Sequence, residues 1–179
     1  MNLNKISRKV SFLLRHKEGF FDEHGWSDVA EVVKEIQTIY PDFDEGTLRE
    51  IVFTDEKGRY SYNQDETRIR ANQGHSIPVD VELKKLSPPE ILYHGTATRF
   101  MNRIEREGLN GQSRIYVHLS SDEETARKVG KRHGKPAVLR IHAGRMEQDG
   151  YEFFLSENHV WQTKIVPASY IERMNEEIL

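Results

Sequence analysis

The stretch SPPEILYH, residues 87–94, divides the sequence into two halves with different patterns. Two consecutive prolines cannot donate the backbone hydrogen bonds that a helix or a central strand needs. Helical spacing of apolar residues dominates before this stretch, and short β-rich runs alternate with helices after it. We therefore predict an α+β protein with two domains, residues 1–87 and 88–179.

The first half is predicted to contain three helices followed by a β-hairpin. Three segments carry apolar side chains at helical spacing: residues 6–14, 29–36 and 47–52. Asp28 and Glu31 have the spacing of a capping box at the start of the second helix. The β-rich runs 59–62 and 68–72 flank a turn-like polar segment, as in a hairpin. Three helices and a hairpin together favour a winged-helix lobe.

The second half is predicted to mix short strands with helices. Four β-rich runs mark the expected strands: residues 91–93, 115–117, 137–141 and 160–163. Helical spacing covers residues 98–108, and Ser121 with Glu124 has the spacing of a second capping box. Pro167 suits the first turn of a last helix. Little indicates regular parallel βαβ units.

Composition limits the possible functions. The net charge is -3, and the two halves carry 13 basic against 16 acidic and 13 against 13 residues. Neither half carries the excess of positive charge that is typical of a protein that binds long stretches of duplex nucleic acid. Any nucleic-acid contact should therefore be local.

The sequence lacks the motifs of several common binding sites and of membrane or secreted proteins. The chain has no cysteine, which excludes disulfides and thiolate metal sites, and its eight histidines show no ligand spacing, so no metal is expected. The usual dinucleotide fingerprint, the P-loop and the G-x-S-x-G motif are absent. No apolar run approaches the roughly 18 residues of a membrane span, and the first residues do not form a signal peptide. We expect a cytoplasmic protein.

Three polar clusters stand where predicted elements end. Arg15 and His16 finish the first helix, where cations complement the helix dipole without any further function. Arg70 lies in a predicted strand leading into the polar loop 73–76, which either touches a ligand or is an exposed hairpin end. The third cluster consists of three motifs: YHGT from residue 93, VHLS from 117 and GKRHG from 130. Sites usually collect at such ends, so we predict a pocket in the second half.

Five stretches resemble, in order and spacing, the RNA 2'-phosphotransferase family, known in bacteria as KptA. They are FLLRHKEG from residue 12, IRANQGHS from 69, LYHGTATRF from 92, VHLSSDEETARKVGKRHGKP from 117 and SENHVWQT from 156. The resemblance implies a winged-helix lobe that binds RNA phosphate, residues 1–87. It also implies an ADP-ribosyltransferase-like lobe that binds NAD, residues 88–179.

The resemblance also implies a reaction in two steps. An internal 2'-phosphate of RNA, as left at a splice junction of transfer RNA, attacks the nicotinamide ribose of NAD and expels nicotinamide. The ribose 2''-hydroxyl then attacks phosphorus and releases 2'-hydroxyl RNA and ADP-ribose 1'',2''-cyclic phosphate. NAD is thus consumed as a co-substrate, and no metal is implied.

The family's Arg-His-Arg-Arg set falls on Arg15, His16, Arg70 and Arg132 by motif. Arginine suits this task because its planar fork binds phosphate bidentately and keeps its charge. We expect the three arginines to clamp the 2'-phosphate in a cleft between the lobes. His16 would act as a further cation or as a general acid.

The family's NAD-binding positions fall in the second half. By motif they are His94, Gly95, Thr96, His118, Ser120 and Val160. Val160 stands where many protein-modifying relatives carry glutamate, and an anionic phosphate nucleophile needs no such base. The chain departs from the family at His159, usually glycine, and at Gln162, usually apolar. A positive φ at His159 would carry a modest strain.

Two other functions remain open on the sequence. An ADP-ribosyltransferase acting on phosphorylated nucleic-acid ends would share the second lobe and the phosphate clamp. A non-enzymatic winged-helix regulator would bind DNA, although the acidic balance of the first half argues against it. The expected partners are NAD and an RNA with an internal 2'-phosphate, bound by a monomer away from membranes.

Overall fold

The computed structural model describes residues 2–174, which separate into two compact units. The first unit holds residues 2–82 together with Ser113–Ile115, and the second holds Leu83–Gln112 and residues 116–174. The division falls just before the strand Lys84–Lys85, because this strand pairs with Phe154–Leu155 of the second unit. The mixture of helices and sheets makes the protein α+β, as predicted.

The first unit has three helices and a three-stranded antiparallel sheet. Its elements are α1 (Leu3–His16), β1 (Ser27–Asp28), α2 (Val29–Gln37), α3 (Glu45–Phe53), β2 (Tyr60–Tyr62) and β3 (Arg68–Ala71). The strand order is β1-β3-β2, so β3 is central. The predicted hairpin is therefore confirmed, and the sequence missed only the short first strand.

Helix α1 forms because its apolar side chains share one face and its start is capped. The Asn2 side chain accepts a hydrogen bond from the backbone nitrogen of Lys5. Ile6, Val10 and Leu13 are fully buried in the core of the first unit, which also takes up α2 and α3. This burial fixes the rotation of the helix and thereby sets the direction of the residues at its end.

The predicted capping box of α2 is wrong. Asp28 occupies the N-cap position, but its carboxylate makes no capping hydrogen bond. Its Oδ1 lies 3.6 Å from Nε of Arg68, a cation on the neighbouring strand β3. The Asp28 carboxylate thus forms an ion pair with Arg68 instead of capping the helix.

The second unit consists of short helices and antiparallel strands. In chain order it contains β4 (Lys84–Lys85), β5 (Leu92–Ala97), a 3₁₀ turn (Thr98–Phe100), α4 (Met101–Glu107), β6 (Leu109–Asn110), β7 (Val117–Leu119), α5 (Glu123–Lys131), β8 (Pro136–Ile141), α6 (Ala143–Gln148), β9 (Phe154–Leu155), β10 (Trp161–Thr163), β11 (Ile165–Val166) and β12 (Ile171–Arg173). The sheets have the orders β4-β9-β10-β7, β12-β8-β5 and β11-β6. Every pairing among the described strands of this unit is antiparallel, which agrees with the lack of a signal for parallel βαβ units in the sequence.

Two predicted helix starts in this unit are wrong. The N-cap of α5 is Asp122, whose side chain accepts from the Thr125 backbone nitrogen, and not Ser121. Pro167 begins no α-helix: a 3₁₀ turn (Ala168–Tyr170) leads at once into β12. The backbone of Ile171 pairs instead with Ile141 on β8, so a strand ladder takes the hydrogen bonds that a helix would have used. Within residues 2–174, no helix has the length and apolar character needed to cross a membrane.

Candidate functional site

Arg15 is a buried cation at the C-terminal end of α1. The residue is 8% exposed, and its Nη1 donates a 2.8 Å hydrogen bond to Oγ of Ser11 one turn earlier. Its Nε is buried without a hydrogen-bond partner. Burial lowers the pKa of Arg15 to about 10, Tyr60 opposes this, and Arg114 lowers it further. Arg15 is therefore still charged at pH 7, and within the described residues it has no carboxylate in an ion pair.

The loop that follows β3 folds back onto this helix end. The backbone nitrogen of Ser76 donates to the Arg15 carbonyl at 3.1 Å, and Ser76 Oγ shares a 2.8 Å hydrogen bond with His16 Nδ1. Gly74 has φ +88°, and a Cβ there would lie 3.3 Å from Arg15 Nε. Glycine thus allows both the left-handed turn and the close approach of the loop to the guanidinium.

His16 is exposed at the rim of this cluster. Partial burial lowers its pKa, and the charges of Arg15 and Arg114 lower it further. A bound dianion would neutralise these two cations and raise the pKa again. His16 therefore responds electrostatically to an anion at this site.

His75 is a buried histidine that feels the charge of these cations. It is 3% exposed, its ring meets Phe21 edge-on at 5.5 Å, and it forms a hydrogen bond to the backbone of Leu14. Burial lowers the pKa of His75 to about 4, with further lowering from Arg15, His16 and Arg70. Arg15, His16 and Arg70, the predicted site residues of the first unit, thus all lower the pKa of His75.

Arg70 is held by an aromatic ring. It is 4% exposed, and its guanidinium carbon lies 4.4 Å from the ring centroid of Trp26. Its Nη1 is 3.4 Å from the carbonyl oxygen of His24 and 3.4 Å from Oε2 of the exposed Glu82. The contact with the Trp26 ring and these two longer polar contacts help to hold the guanidinium plane.

Arg114 was missed by the sequence analysis. Its Nε lies 3.6 Å from the point where a Gly74 Cβ would stand, on the same loop that approaches Arg15. Its side chain keeps contact with solvent, although surrounding atoms lower its pKa. It sits in the segment Ser113–Ile115, far along the chain from Arg15, so no local pattern could have joined the two.

A cleft of about 280 Å³ also lies in the first unit, but its chemistry differs. Its apolar walls include Phe20, Phe21 and Trp26. Its charged walls are mainly acidic, and its one arginine, Arg68, already contacts Asp22 at 2.9 Å. The acidic lining makes this cleft a poor place for an anion, whereas the cluster around Arg15 is basic.

The fourth predicted cation, Arg132, belongs to the second unit. It is the exposed C-cap of α5, and its backbone nitrogen donates to the Val129 carbonyl at 3.2 Å. The end of a helix is a favourable place for a cation. Its part in binding phosphate stays a prediction.

Three predicted NAD-binding residues lie together where β5 and β7 meet. Tyr93 and Ser120 exchange two backbone hydrogen bonds of 2.8 Å. The Nδ1 of His94 donates to the His118 carbonyl at 2.9 Å, because a carbonyl can only accept. Burial lowers the pKa of His94, and His133 adds to this. The ring is thus neutral at pH 7, and its Nε2 is a hydrogen-bond acceptor.

Gly95 has a structural reason to be glycine. A Cβ there would lie 1.7 Å from the carbonyl oxygen of Ala126 on α5, so the strand and helix are in backbone contact. A Cβ added at Gly130 would likewise lie 2.6 Å from the carbonyl oxygen of Thr96. Contacts of Gly95 and Thr96 with NAD stay predictions, since this packing explains Gly95 without a ligand.

Val160 lies just before β10, next to the same junction. The following residue, Trp161, pairs with Leu119, the neighbour of Ser120. The turn that delivers Val160 has His159 at φ 63°, so this position does require the left-handed conformation that glycine adopts most easily. The second departure, Gln162, is 1% exposed, and its Nε2 is buried without a hydrogen-bond partner.

Metal ligands are not clustered in the described part of the chain. Among residues 2–174, no group of three or more histidine and carboxylate side chains is arranged to hold an ion.

The protein is an α+β protein with a basic cluster around Arg15 in its first unit. The model of the RNA 2'-phosphotransferase, Tpt1 / KptA family matches residues 2–165. The chain is 47% identical over 171 residues to a probable RNA 2'-phosphotransferase of Flavobacterium johnsoniae, covering 93% of this chain and 94% of the relative. Identity is 44% to that of Fusobacterium nucleatum (94% and 97% covered) and 42% to that of Escherichia coli O6:K15:H31 (95% and 95%). The chain belongs to the RNA 2'-phosphotransferase, Tpt1 / KptA family, which confirms the resemblance seen in the sequence.

Proposed function

We propose that the protein removes an internal 2'-phosphate from RNA by transferring it to NAD. Membership in the family supports a transferase acting on RNA 2'-phosphate. NAD as the acceptor and the two-step course are the additional parts of the proposal. A tRNA-like RNA, a monomeric enzyme and a cytoplasmic location belong to it as well.

The observation that carries the proposal is the unpartnered Nε of Arg15. A buried cation with an unused donor is costly unless a ligand completes it. The neighbouring residues His16 and Arg114 are themselves basic, so they do not supply the negative charge that would compensate Arg15. A phosphate dianion offers three strong acceptor oxygens and two charges, which is what this cluster is short of.

His16 has two candidate roles at this phosphate. In the free protein its lowered pKa keeps the ring mostly neutral at pH 7. Once the phosphate neutralises the neighbouring arginines, a protonated His16 becomes favourable. The charged ring would then stabilise the phosphate or donate a proton to the departing RNA 2'-oxygen. A pH profile of the second step in wild type and His16→Asn separates these roles, and an unchanged rate would exclude both.

The reaction divides into two displacements with balanced bonds. In the first, a phosphate oxygen forms a bond to the anomeric carbon of the nicotinamide ribose, and the bond to nicotinamide breaks. In the second, the ribose 2''-hydroxyl oxygen bonds to phosphorus, and the bond to the RNA 2'-oxygen breaks. The hydroxyl loses a proton and the RNA oxygen gains one. Arg15, Arg70 and Arg132 would bind the phosphate and offset the charge that develops on phosphorus in the second step.

The residues around β5 and β7 fit the sugar of NAD. NAD supplies an electrophilic ribose carbon and a leaving nicotinamide when bound. The acceptor Nε2 of His94 suits a ribose hydroxyl, since the ring is neutral and its Nδ1 is fixed by the His118 carbonyl. Ser120 and Thr96 would add hydroxyl contacts, and apolar Val160 suits a site whose nucleophile is already ionised.

The two units are also consistent with the proposed lobes. The order helix, strand, helix, helix, strand, strand in the first unit, with β3 central, supports a winged-helix lobe. Antiparallel sheets carrying His94 and His118 support an ADP-ribosyltransferase-like second lobe.

One incubation tests the proposal. The protein is mixed with NAD and a short RNA bearing one internal 2'-phosphate, and products are separated by chromatography. We expect 2'-hydroxyl RNA, nicotinamide and ADP-ribose cyclic phosphate in equal amounts. Release of phosphate without loss of NAD would refute NAD as the acceptor. Stable ADP-ribosylated RNA without the cyclic phosphate would instead favour the nucleic-acid-end ADP-ribosyltransferase.

Matched variants locate the chemistry. Arg15→Gln should lower kcat/KM at least ~100-fold, because one charge-assisted contact to the transferring phosphate is lost. Arg106→Gln removes an exposed arginine of α4 that bonds only locally, to the Asn102 carbonyl, and should act like wild type. Arg132→Ala should accumulate the ADP-ribosylated intermediate or stop the reaction, and wild-type turnover would remove Arg132 from the site.

A further inference from the structure

We propose that the outer side of α1 is an interaction surface for an unpaired stretch of RNA, with one base stacked on the ring of Phe12. This surface, the α1 outer face, is formed by Lys5, Arg8, Lys9 and Phe12. The inference deepens the proposed function, because RNA is the substrate named there. It concerns the strand beside the reacting phosphate, and none of these four residues belongs to the predicted phosphate-binding set.

The four side chains lie on the same side of the helix. Lys5, Lys9 and Phe12 follow one another at steps of four and three residues, which places them on one stripe, and Arg8 flanks this stripe. Lys5, Arg8 and Phe12 are exposed, and Lys9 is half-buried. The apolar side of α1 is buried in the core of the first unit, so the helix has no apolar face left for a lipid surface.

The stability of α1 does not explain its charge. The helix contains no aspartate or glutamate, although the whole chain has a net charge of -3, and its Lys and Arg residues are Lys5, Arg8, Lys9 and Arg15. Lys5 lies in the first turn, where the helix dipole favours an acidic side chain and disfavours a cation. Among residues 2–174, neither Lys5 nor Arg8 forms an ion pair, whereas Lys9 helps to lower the pKa of Glu35. A polyanionic strand would offset this positive charge.

Phe12 supplies an aromatic ring among these cations. The residue is 48% exposed, although it lies within the helix. The Nζ of Lys9 lies 5.5 Å from the centroid of the Phe12 ring, and the centroid of the His16 ring lies 6.0 Å from it. These neighbours contact the ring from the turn before and the turn after. An exposed ring beside cations is typical of surfaces that stack a base and bind the backbone of a single strand.

The α1 outer face leads to the predicted 2'-phosphate site at His16. Phe12 precedes His16 by four residues, about 6 Å along the helix axis, and Lys5 lies about 10 Å further back. A strand with its 2'-phosphate at His16 can therefore place a neighbouring base on Phe12 and continue past Arg8 and Lys5. In a duplex the base faces are covered by stacking within the helix, so the strand must be unpaired at this surface.

Binding of an RNA without a 2'-phosphate tests the stacking. A short labelled single strand is titrated with the full chain in the absence of NAD, and fluorescence anisotropy reports binding. Phe12→Ala should weaken binding roughly 10-fold, as expected for the loss of one base stack, whereas Phe12→Tyr keeps a ring and should bind like wild type. A duplex of the same sequence should bind wild type and Phe12→Ala equally.

A matched control excludes a general effect of removing an exposed ring. Phe53 is 69% exposed at the end of α3 in the same unit. Phe53→Ala should therefore bind the single strand like wild type. Circular dichroism and thermal unfolding of each variant check that the fold is kept.

The dependence of binding on salt tests the cations. In a plot of log affinity against log salt concentration, replacing both Lys5 and Arg8 by glutamine should make the slope shallower by about 1.4, at about 0.7 for each lost contact with a phosphate of a single strand. Lys34→Gln removes an exposed lysine of α2 and should leave the slope unchanged.

Several results would overturn the inference. These are equal affinity of wild type and Phe12→Ala for the single strand, equal losses in Phe12→Ala and Phe12→Tyr, an unchanged salt slope in the double variant, or no measurable binding of the single strand by wild type. A loss of binding to anionic lipid vesicles in Phe12→Ala, with RNA binding unchanged, would assign the surface to a membrane instead.

Failure of the proposed function is measured separately. A protein that binds the single strand through Phe12 but releases no nicotinamide from NAD would keep this inference and lose the proposed function. A protein that turns over the phosphorylated RNA, and whose RNA affinity does not depend on Phe12, would keep the proposed function and lose this inference.

Discussion

His75 should make the protein lose stability in mild acid. The unfolded chain binds a proton near the ordinary histidine pKa of 6.5, whereas burial keeps the folded imidazole neutral down to about 4. Between these values the unfolded state holds more protons than the folded state. Stability therefore falls as the pH drops from about 6.5 towards 4, and rises with pH through the same window.

The size of this effect follows from the two pKa values. The full difference corresponds to about 3 kcal/mol, at about 1.4 kcal/mol for each tenfold change in proton affinity. By pH 5 most of the unfolded chains carry the proton, and about 2 kcal/mol of the free energy of unfolding should be lost relative to pH 7. The residue is 3% exposed, so solvent screening should reduce this only slightly.

Urea unfolding at pH 7 and pH 5 measures the loss for wild type and His75→Asn. The variant will be less stable at both values, because packing against Phe21 is lost. The informative quantity is the change with pH, which should shrink by about 2 kcal/mol in the variant. Equal losses in the two proteins would refute the argument, as would an NMR titration placing the His75 pKa near 6.5.

Substitutions at three further positions probe the packing around the candidate sites. Gly95→Ala should cost about 3 kcal/mol or prevent folding, since its Cβ would overlap the Ala126 carbonyl, and thermal unfolding without NAD measures this; a wild-type melting temperature would contradict the packing. Trp26→Leu removes the ring under Arg70 and should cost about 1–2 kcal/mol in urea as well as slow phosphate transfer. Trp26→Phe keeps a ring and should do less of both, whereas equal effects would exclude stacking as the cause. His159→Gly should raise the free energy of unfolding by up to about 1 kcal/mol by relieving a positive φ, and a clear loss of stability would show that the histidine makes a compensating contact.

The helices of the first unit could be predicted because burial imposes a simple period. Ile6, Val10 and Leu13 recur at helical spacing, and all three are fully buried. Helix ends were harder to predict, because capping depends on a competition between neighbouring groups. Asp28 faces a cation on β3 instead of its own helix, and no sequence spacing reveals that cation.

The candidate site was found only in part, for a related reason. Arg15 and His16 end a helix, and a helix end explains two cations without a ligand. Their significance comes from what the tertiary structure adds: a loop at Gly74, a neutral His75 and a third cation at Arg114. Such contacts join distant parts of the chain, so the periodicity of the sequence contains no trace of them.

The first unit is discontinuous in sequence, and this affects how the protein can be divided. A fragment cut at residue 82 or 87 would contain Arg15, His16 and Arg70 but would lack the segment Ser113–Ile115. Such a fragment would therefore be an incomplete first unit. The discontinuity also bears on evolution. An exchange of gene segments at the two consecutive prolines would separate Arg114 from Arg15, His16 and Arg70, which belong to the same unit. The two units can be told apart in space, yet no single cut of the chain yields the first unit whole.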